Sequence, residues 1–162
     1  MPNAAPPAWK HVRDILILPF SVTCIIPYLI HHGPASWYPD GVAPSIAGAL
    51  MLAAGLALFA FTVALFARKG NGTLAPWTPT QRLIISGPYR YCRNPMISGV
   101  LFILIGEALL LRSTPIMVET IVFFVVNTTY FMLKEEPDML ARFGEEYRTY
   151  KERVPRWVPR LR

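Results

Sequence analysis

Metal-binding and disulfide patterns are absent from this sequence. It has two cysteines, Cys24 and Cys92, and three histidines, and none of them falls at the spacing of a zinc or haem motif. The cysteines lie far apart and are interpreted as free thiols. A glycine-rich phosphate loop and a Ser-His-Asp motif are also missing. We therefore expect no metal cofactor, no Rossmann-type nucleotide domain and no hydrolase triad.

Charged residues are scarce as well. They make up 16% of the 162 residues, against about 25% in soluble domains, whereas hydrophobic residues make up 53%. The mean hydropathy is +0.36. This balance indicates a membrane protein, because the apolar residues are clustered. The formal net charge is +6, and the basic residues flank the apolar runs, so we attribute the charge to membrane topology and expect no nucleic-acid partner.

Four apolar runs predict an all-α integral membrane protein with a single domain, residues 1–162. The runs cover about residues 14–31, 45–67, 95–111 and 116–133, near the length of about 20 residues that crosses a bilayer. Prolines in the first run predict a kinked or tilted helix. The chain then becomes charged, with apolar side chains near one face, which predicts an amphipathic helix over about residues 135–152.

The basic residues predict an orientation. With four spans, 15 of the 16 Lys and Arg fall on one side of the membrane, and Arg112 alone falls on the other. The positive-inside rule then places both termini, the loop over residues 68–94 and the C-terminal helix in the cytoplasm.

A polar, cationic segment, residues 86–96, leads into the third run. Gly87-Pro88 predicts a turn. Asn94 is expected to cap a helix whose first residue is Pro95. Arg93 stands beside that helix start, which is an anion-binding position, whereas most of the other arginines are interpreted as contacts to anionic headgroups.

Other polar side chains have more than one interpretation. The pair Glu135-Glu136 is either a ligand-binding pair or an ordinary acidic pair at a helix N-terminus. Arg112-Ser113-Thr114-Pro115 predicts a tight reversal between the third and fourth runs, on the outer side. Glu107 and Glu119 lie within about two turns of this reversal, where we expect snorkelling or pairing with Arg112. Asn127 is expected to hydrogen-bond between helices.

Residues 73–162 resemble the isoprenylcysteine carboxyl methyltransferase family, including its bacterial relatives, and more distantly the phosphatidylethanolamine N-methyltransferases. The matching segments are residues 87–95, the pair Glu135-Glu136, residues 143–147, Tyr150, Val154-Pro155 and Pro159. The resemblance implies an enzyme of the bacterial inner membrane that uses S-adenosyl-L-methionine, with the cofactor in a cytoplasmic pocket between the third span's entrance and the C-terminal helix. The first two spans are expected to add only architecture.

The resemblance also implies roles for individual residues. Arg93 and Asn94 are expected to orient the ligands, and Glu135 is expected to bind the methyl donor; these three are the candidate catalytic residues. Three positions differ from the family: Asn94 replaces a His, Ile97 a Tyr, and Phe131 an Arg of the eukaryotic enzymes. The implied cofactor contacts are Gln81, Arg82, Leu83, Ile84, Tyr89, Asn94, Pro95, Met96, Ile97, Glu135 and Glu136.

The expected reaction is carboxyl O-methylation of an isoprenylcysteine-like acceptor that enters laterally from the lipid. A carboxylate acceptor is favoured because the sequence offers no convincing catalytic base. The expected partners are a lipophilic or prenylated substrate and membrane lipids. Two alternatives stay open: N-methylation of a phospholipid amine, since Pro137 follows the acidic pair, and a non-catalytic membrane scaffold or transporter subunit. The sequence makes no prediction of the oligomeric state.

Overall fold

The computed structural model describes residues 13, 16–32, 41–69 and 83–159. Every regular element within these ranges is helical, as predicted. Helix α1 consists of a π-helical segment, Leu16–Ile25, and an α-helical turn, Ile26–Ile30. Pro19 lies inside the π-helical segment. Because proline removes a backbone donor, it favours such a departure from α-helical geometry.

Three further apolar helices follow, and each packs against the next one along the chain. Helix α2 covers Val42–Lys69 and helix α3 covers Pro95–Leu110. Helix α4, Thr114–Tyr130, follows a tight reversal at Arg112, whose φ is 52°. The reversal was expected from the sequence of this connection.

Helix α4 does not end at the predicted boundary near residue 133. It continues through a π-helical turn, Phe131–Glu135, into helix α5, Glu136–Arg153. Glu135 has φ −68° and ψ −46°, so it lies inside continuous helix. The interpretation of Glu135-Glu136 as an ordinary pair at a free helix N-terminus is therefore wrong, since the backbone amide of Glu136 already donates to the carbonyl of Phe131.

Helix α5 is broken at Gly144. This glycine has φ 54° and ψ −127°, a backbone conformation that L-residues with a Cβ atom rarely adopt. The break turns the second half of α5 away from the axis of the first. Residues of both halves, among them Met139 and Tyr147, then face the same pocket.

Helices α2 and α3 are held together by a seam of glycines. A Cβ atom on Gly55 would lie 2.7 Å from the backbone nitrogen of Ile103, and one on Gly106 would lie 2.6 Å from the backbone nitrogen of Leu52. Gly48 and Gly99 continue the seam, each with its nearest atom at 3.0 Å. Small residues allow membrane helices to approach in this way.

Among the described residues, two helices are long and apolar enough to cross a bilayer by length and composition. They are Val42–Leu65 and the helix Thr114–Arg153, whose apolar part ends at Leu133. The apolar helices Ile17–Ile30 and Pro95–Leu110 are shorter. At 16 residues, α3 is about 24 Å long, less than the roughly 30 Å of a hydrocarbon core. The four-span arrangement therefore remains a prediction.

Candidate functional site

A pocket of about 740 Å³ lies where the segment 83–94 meets α3, α4 and α5. This volume falls within the range of about 300–1,000 Å³ that is typical of small-molecule and cofactor sites. Its polar side chains come mainly from the loop and from α5. They are Tyr89, Arg93, Asn94, Asn127, Tyr130, Glu135, Asp138, Arg142, Tyr147 and Tyr150.

The rest of the pocket wall is apolar and comes largely from the apolar helices. Glu135 and Phe123 lie on the same continuous helix, 12 residues apart, so the wall extends about 18 Å along it. The pocket therefore has a polar end and an apolar end. The apolar helices contribute Leu18, Pro19, Val22, Phe59, Met96, Ile97, Val100, Phe123 and Val126.

Asn94 stands at the N-cap position of α3, as predicted, but its side chain makes no capping hydrogen bond. Its backbone carbonyl instead accepts hydrogen bonds from the amide and the hydroxyl of Ser98, at 3.0 and 3.1 Å. The expectation that the side chain caps the helix is wrong. Asn94 also lines the pocket.

Glu135 has a perturbed acidity. Burial raises the pKa of its carboxyl group to about 7, the positive charge of Arg142 opposes that shift, and the charge of Glu136 adds to it. Burial also holds the pKa of Tyr89 and that of Tyr150 well above the usual range. The Tyr150 hydroxyl donates a hydrogen bond to the carbonyl of Tyr89 at 2.8 Å, which ties α5 to the loop. The polar end therefore combines a carboxyl group of raised pKa, that of Glu135, with neutral phenols.

Glu136 is the centre of an ion-pair cluster. Its Oε1 accepts hydrogen bonds from Arg93 Nη1 at 2.8 Å and from Arg156 Nη2 at 2.7 Å, and Lys151 Nζ lies 2.7 Å from Oε2. Burial raises the pKa of this carboxyl group, but the hydrogen bonds from Lys151 and Arg156 and the charge of Arg93 outweigh it and hold the pKa below its ordinary value. Glu136 therefore stays ionised.

The predicted site residues fall into three groups. Arg93 and seven predicted cofactor contacts line the pocket: Leu83, Ile84, Tyr89, Asn94, Met96, Ile97 and Glu135. Pro95 and Glu136 lie next to it but are not part of its lining. Gln81 and Arg82 lie outside the described residues.

The structure also places residues in the pocket that the sequence did not assign to it. Leu18, Pro19, Val22 and Phe59 belong to the first two apolar runs, so the expectation that those runs add only architecture is wrong. Asp138 and Arg142 lie one and two turns beyond Glu135 on its helix, and the 3.6-residue period predicts that they share its face.

Asn127 is a further correction. Its Nδ2 donates a hydrogen bond to the carbonyl of Phe123 in its own helix at 2.8 Å, and the side chain lines the apolar end of the pocket. Among the described residues it makes no hydrogen bond to a second helix, although the sequence had predicted one. Asn127 therefore supplies a polar group to the otherwise apolar wall of the pocket.

Glu107 and Glu119 lie at the opposite end of the helices. Both carboxylate oxygens of Glu119 and Oε2 of Glu107 are buried and have no hydrogen-bond partner among the described residues. Neither residue lines the pocket. Within the same ranges, no group of three or more His, Cys, Asp or Glu side chains could hold a metal ion.

Comparisons with known proteins point to one family. The family model described as phospholipid methyltransferase matches residues 43–146. A methanethiol S-methyltransferase of Bradyrhizobium diazoefficiens is 36% identical over 77 residues, which are 45% of this chain and 27% of that protein. The protein-S-isoprenylcysteine O-methyltransferase of Mus musculus is 35% identical over 83 residues, which are 49% of this chain and 28% of that protein.

A third relative is short. An uncharacterized protein of Haemophilus influenzae is 33% identical over 63 residues, which are 39% of this chain and the whole of that protein. The match to each of the two methyltransferases covers little more than a quarter of its length. No solved structure gives a significant match.

Proposed function

Because the chain belongs to the phospholipid methyltransferase family, we propose that it transfers a methyl group from S-adenosylmethionine to a lipophilic acceptor within a membrane. The observation that carries this proposal is the pocket with one polar and one apolar end. Glu135 and Arg93 line the polar end, and Val22, Val100 and Phe123 belong to the apolar wall. Such a pocket suits a charged donor beside a lipophilic acceptor.

The polar end fits the amino-acid part of the donor. Arg93 Nε is buried and has no hydrogen-bond partner among the described residues, so it is available to a carboxylate. Burial raises the pKa of the Glu135 carboxyl group at this end of the pocket. A cationic partner would favour its ionised form. Glu135 would therefore hold the ammonium group of the donor and Arg93 its carboxylate.

The donor supplies an activated methyl group on a sulfonium. The chain contributes position and dehydration, which decide the rate of a displacement at carbon. Tyr89, Tyr147 and Tyr150 line the polar end, and aromatic faces attract a cation. Val100, which is buried, and Phe123 line the apolar end and would keep water from it.

The acceptor that we propose first is a carboxylate on a lipophilic chain, of the isoprenylcysteine kind. A carboxylate reacts without losing a proton. The apolar wall would hold the chain, and the amides of Asn94 and Asn127 both face the pocket, where each N–H can donate to an oxygen. The acceptor would enter laterally from the lipid between the apolar helices.

A phospholipid amine is the second candidate, favoured by one observation. The pKa of Glu135 near 7 suits a group that removes a proton from an ammonium at neutral pH. The sequence alone offered no such base. In this case Glu135 would serve the acceptor rather than the donor. A thiol acceptor, as named for the Bradyrhizobium relative, would need the same base.

Calorimetry with the full chain in detergent tests the shared part of the proposal. We expect S-adenosylmethionine to bind, and Glu135→Gln to weaken binding at least about tenfold, since a charge-assisted hydrogen bond contributes about 1.5–3 kcal/mol. Folded wild-type chain that binds no donor would favour the non-catalytic scaffold. Thin-layer analysis of lipids after incubation with labelled donor then separates the acceptors: a labelled phospholipid indicates N-methylation, and a base-labile label on a prenylcysteine indicates an ester.

A further inference from the structure

A short segment after α5, residues 154–157, crosses behind the polar end of the pocket; we call it the C-terminal strap. The backbone amide of Arg93 donates to the carbonyl of Pro155 at 2.9 Å. The buried thiol of Cys92 donates to the carbonyls of Arg156 and Trp157, at 3.1 and 3.4 Å. Burial raises the pKa of this thiol, so it keeps the proton that these contacts need.

The strap also reaches the ion-pair cluster. Arg156 donates from Nε and Nη2 to Glu136 Oε1, at 2.8 and 2.7 Å. The same oxygen accepts from Arg93 Nη1 at 2.8 Å, and the Glu136 side chain is only 8% exposed. One carboxylate oxygen therefore joins the strap to an arginine that lines the pocket.

The strap makes a second contact with the pocket wall through the ring of Trp157. The ring of Trp157 lies 5.9 Å from the ring of Phe131 and 5.1 Å from that of Phe124, measured between centroids. Phe131 is buried and lines the pocket, whereas neither Trp157 nor Arg156 lines it. The strap thus contacts two residues of the pocket wall, Arg93 and Phe131, and does not itself line the pocket.

We propose that Glu136 and Arg156 are positioning residues, which fix the Arg93 guanidinium in the pocket wall while the strap's Trp157 fixes Phe131. The proposal rests on the proposed function, since Arg93 is taken to hold the donor. Glu136 neutralises one positive charge but contacts three cations, Arg93, Lys151 and Arg156. Arg93 therefore keeps an attraction for an anionic ligand although it is held in place, and its Nε lacks a partner among the described residues.

The test measures the affinity of the full chain in detergent for S-adenosylhomocysteine, together with the Tm. Arg156→Gln is expected to weaken this affinity about tenfold, which corresponds to about 1.4 kcal/mol. Arg156→Lys keeps a cation near Glu136 and is expected to recover most of the loss. Arg148→Gln is the matched control, because the ion pair that Arg148 makes among the described residues is an exposed one with Glu145, at 3.3 Å on the same helix. It should bind within twofold of wild type.

Trp157→Phe covers the case in which Arg156→Gln does not fold. It keeps an aromatic ring in contact with Phe131 and should fold, with affinity reduced about threefold. A strap that serves only stability would lower the Tm of Arg156→Gln or Trp157→Phe and leave the affinity within twofold of wild type, and that result would overturn the proposal. Wild-type chain that binds no S-adenosylhomocysteine would instead contradict the proposed function itself.

Discussion

Two neighbouring glutamates, Glu135 and Glu136, have opposite electrostatic environments although they are one residue apart. The side chain of Glu136 is held by three cations, and its pKa lies below the ordinary value. Glu135 faces the pocket, and burial raises its pKa to about 7 despite Arg142. Successive helical residues point about 100° apart, so one carboxylate can serve the structure and the other a ligand. Of the two, Glu135 is the one that titrates in the physiological range.

The first prediction follows from this titration. If the ionised form of Glu135 holds the donor's ammonium, the affinity for S-adenosylmethionine rises as the pH increases through about 7. Between pH 6 and pH 8 the ionised fraction of such a group rises roughly tenfold, so the Kd should fall by about the same factor. Calorimetry at several pH values in one buffer series measures this change in the Kd.

Glu135→Gln is the control for this profile. The amide carries no charge at any of these pH values, so the variant should bind the donor weakly and with a flat profile. Glu146→Gln removes a charge from an exposed position on the same helix and should keep the wild-type profile. A wild-type affinity that is constant from pH 6 to pH 8 would remove Glu135 from the donor site.

At the scale of the elements, the α2–α3 pair is the most closely packed part of the described chain. Backbone atoms are the nearest neighbours of three glycines of the seam, Gly55, Gly99 and Gly106: for Gly55 they are the amide nitrogen of Ile103 and the carbonyl of Gly99. Backbone atoms cannot rotate away from an added side chain. The position of α3, and with it Asn94 at its start, therefore depends on these glycines.

The second prediction tests that dependence. Gly55→Leu should destabilise the chain by about 3 kcal/mol, because overpacking against backbone forces the helices apart. For a chain of this length the Tm would fall by roughly 6–12 °C. Ala57→Leu, on the exposed face of the same helix, should change the stability by less than about 0.5 kcal/mol. Equal Tm values for the two variants would show that the seam contributes little.

The elements also show which features the sequence predicts and which it does not. The apolar runs predict α1 to α4 to within a few residues, and Pro95 marks the start of α3, because composition and proline act locally. The continuity of α4 with α5 was missed, since the change from apolar to charged residues at Lys134 resembles a helix boundary. The pattern of apolar and charged residues indicates the environment of a helix, and it does not show where the helix ends.

The candidate site also has features that the sequence predicts and features that it does not. Residues of the family motifs, such as Tyr89, Asn94 and Glu135, line one pocket. The strap was not predicted, because Cys92 and Trp157 are distant in sequence and their contact arises only in the tertiary structure. Nor was the contribution of Val22, since an apolar residue that lines a pocket looks like any other residue of an apolar helix.

The molecule as a whole is asymmetric along its helices. The pocket, the ion-pair cluster around Glu136 and the strap lie at one end, whereas Arg112 and the buried carboxyl groups of Glu107 and Glu119 lie at the other. The four-span topology predicted from the sequence puts 15 of the 16 basic residues on one side of the membrane. In that topology the positive-inside rule predicts that the pocket, to which Arg93 contributes, faces the cytoplasm.

The third prediction concerns this orientation and uses cysteine labelling. Cys92 is 4% exposed and should not react, so Cys24→Ala gives a background without an accessible thiol. Single cysteines are then placed at Arg90, which is exposed beside the pocket, and at Leu111, which is 44% exposed at the outer reversal. In bacterial spheroplasts a membrane-impermeant maleimide should label Leu111→Cys, and it should label Arg90→Cys only after permeabilisation.

Each of the two cysteine positions is the control for the other. They lie at opposite ends of α3, so a membrane-spanning α3 must place them on opposite sides. Arg90→Cys removes one basic residue from a side that holds 15, too small a change to reverse the charge bias. Labelling of both positions in intact spheroplasts would mean that α3, at about 24 Å, does not separate two aqueous sides. Labelling of Arg90→Cys alone would invert the topology and place the pocket outside the cytoplasm, where a cytosolic donor could not reach Glu135.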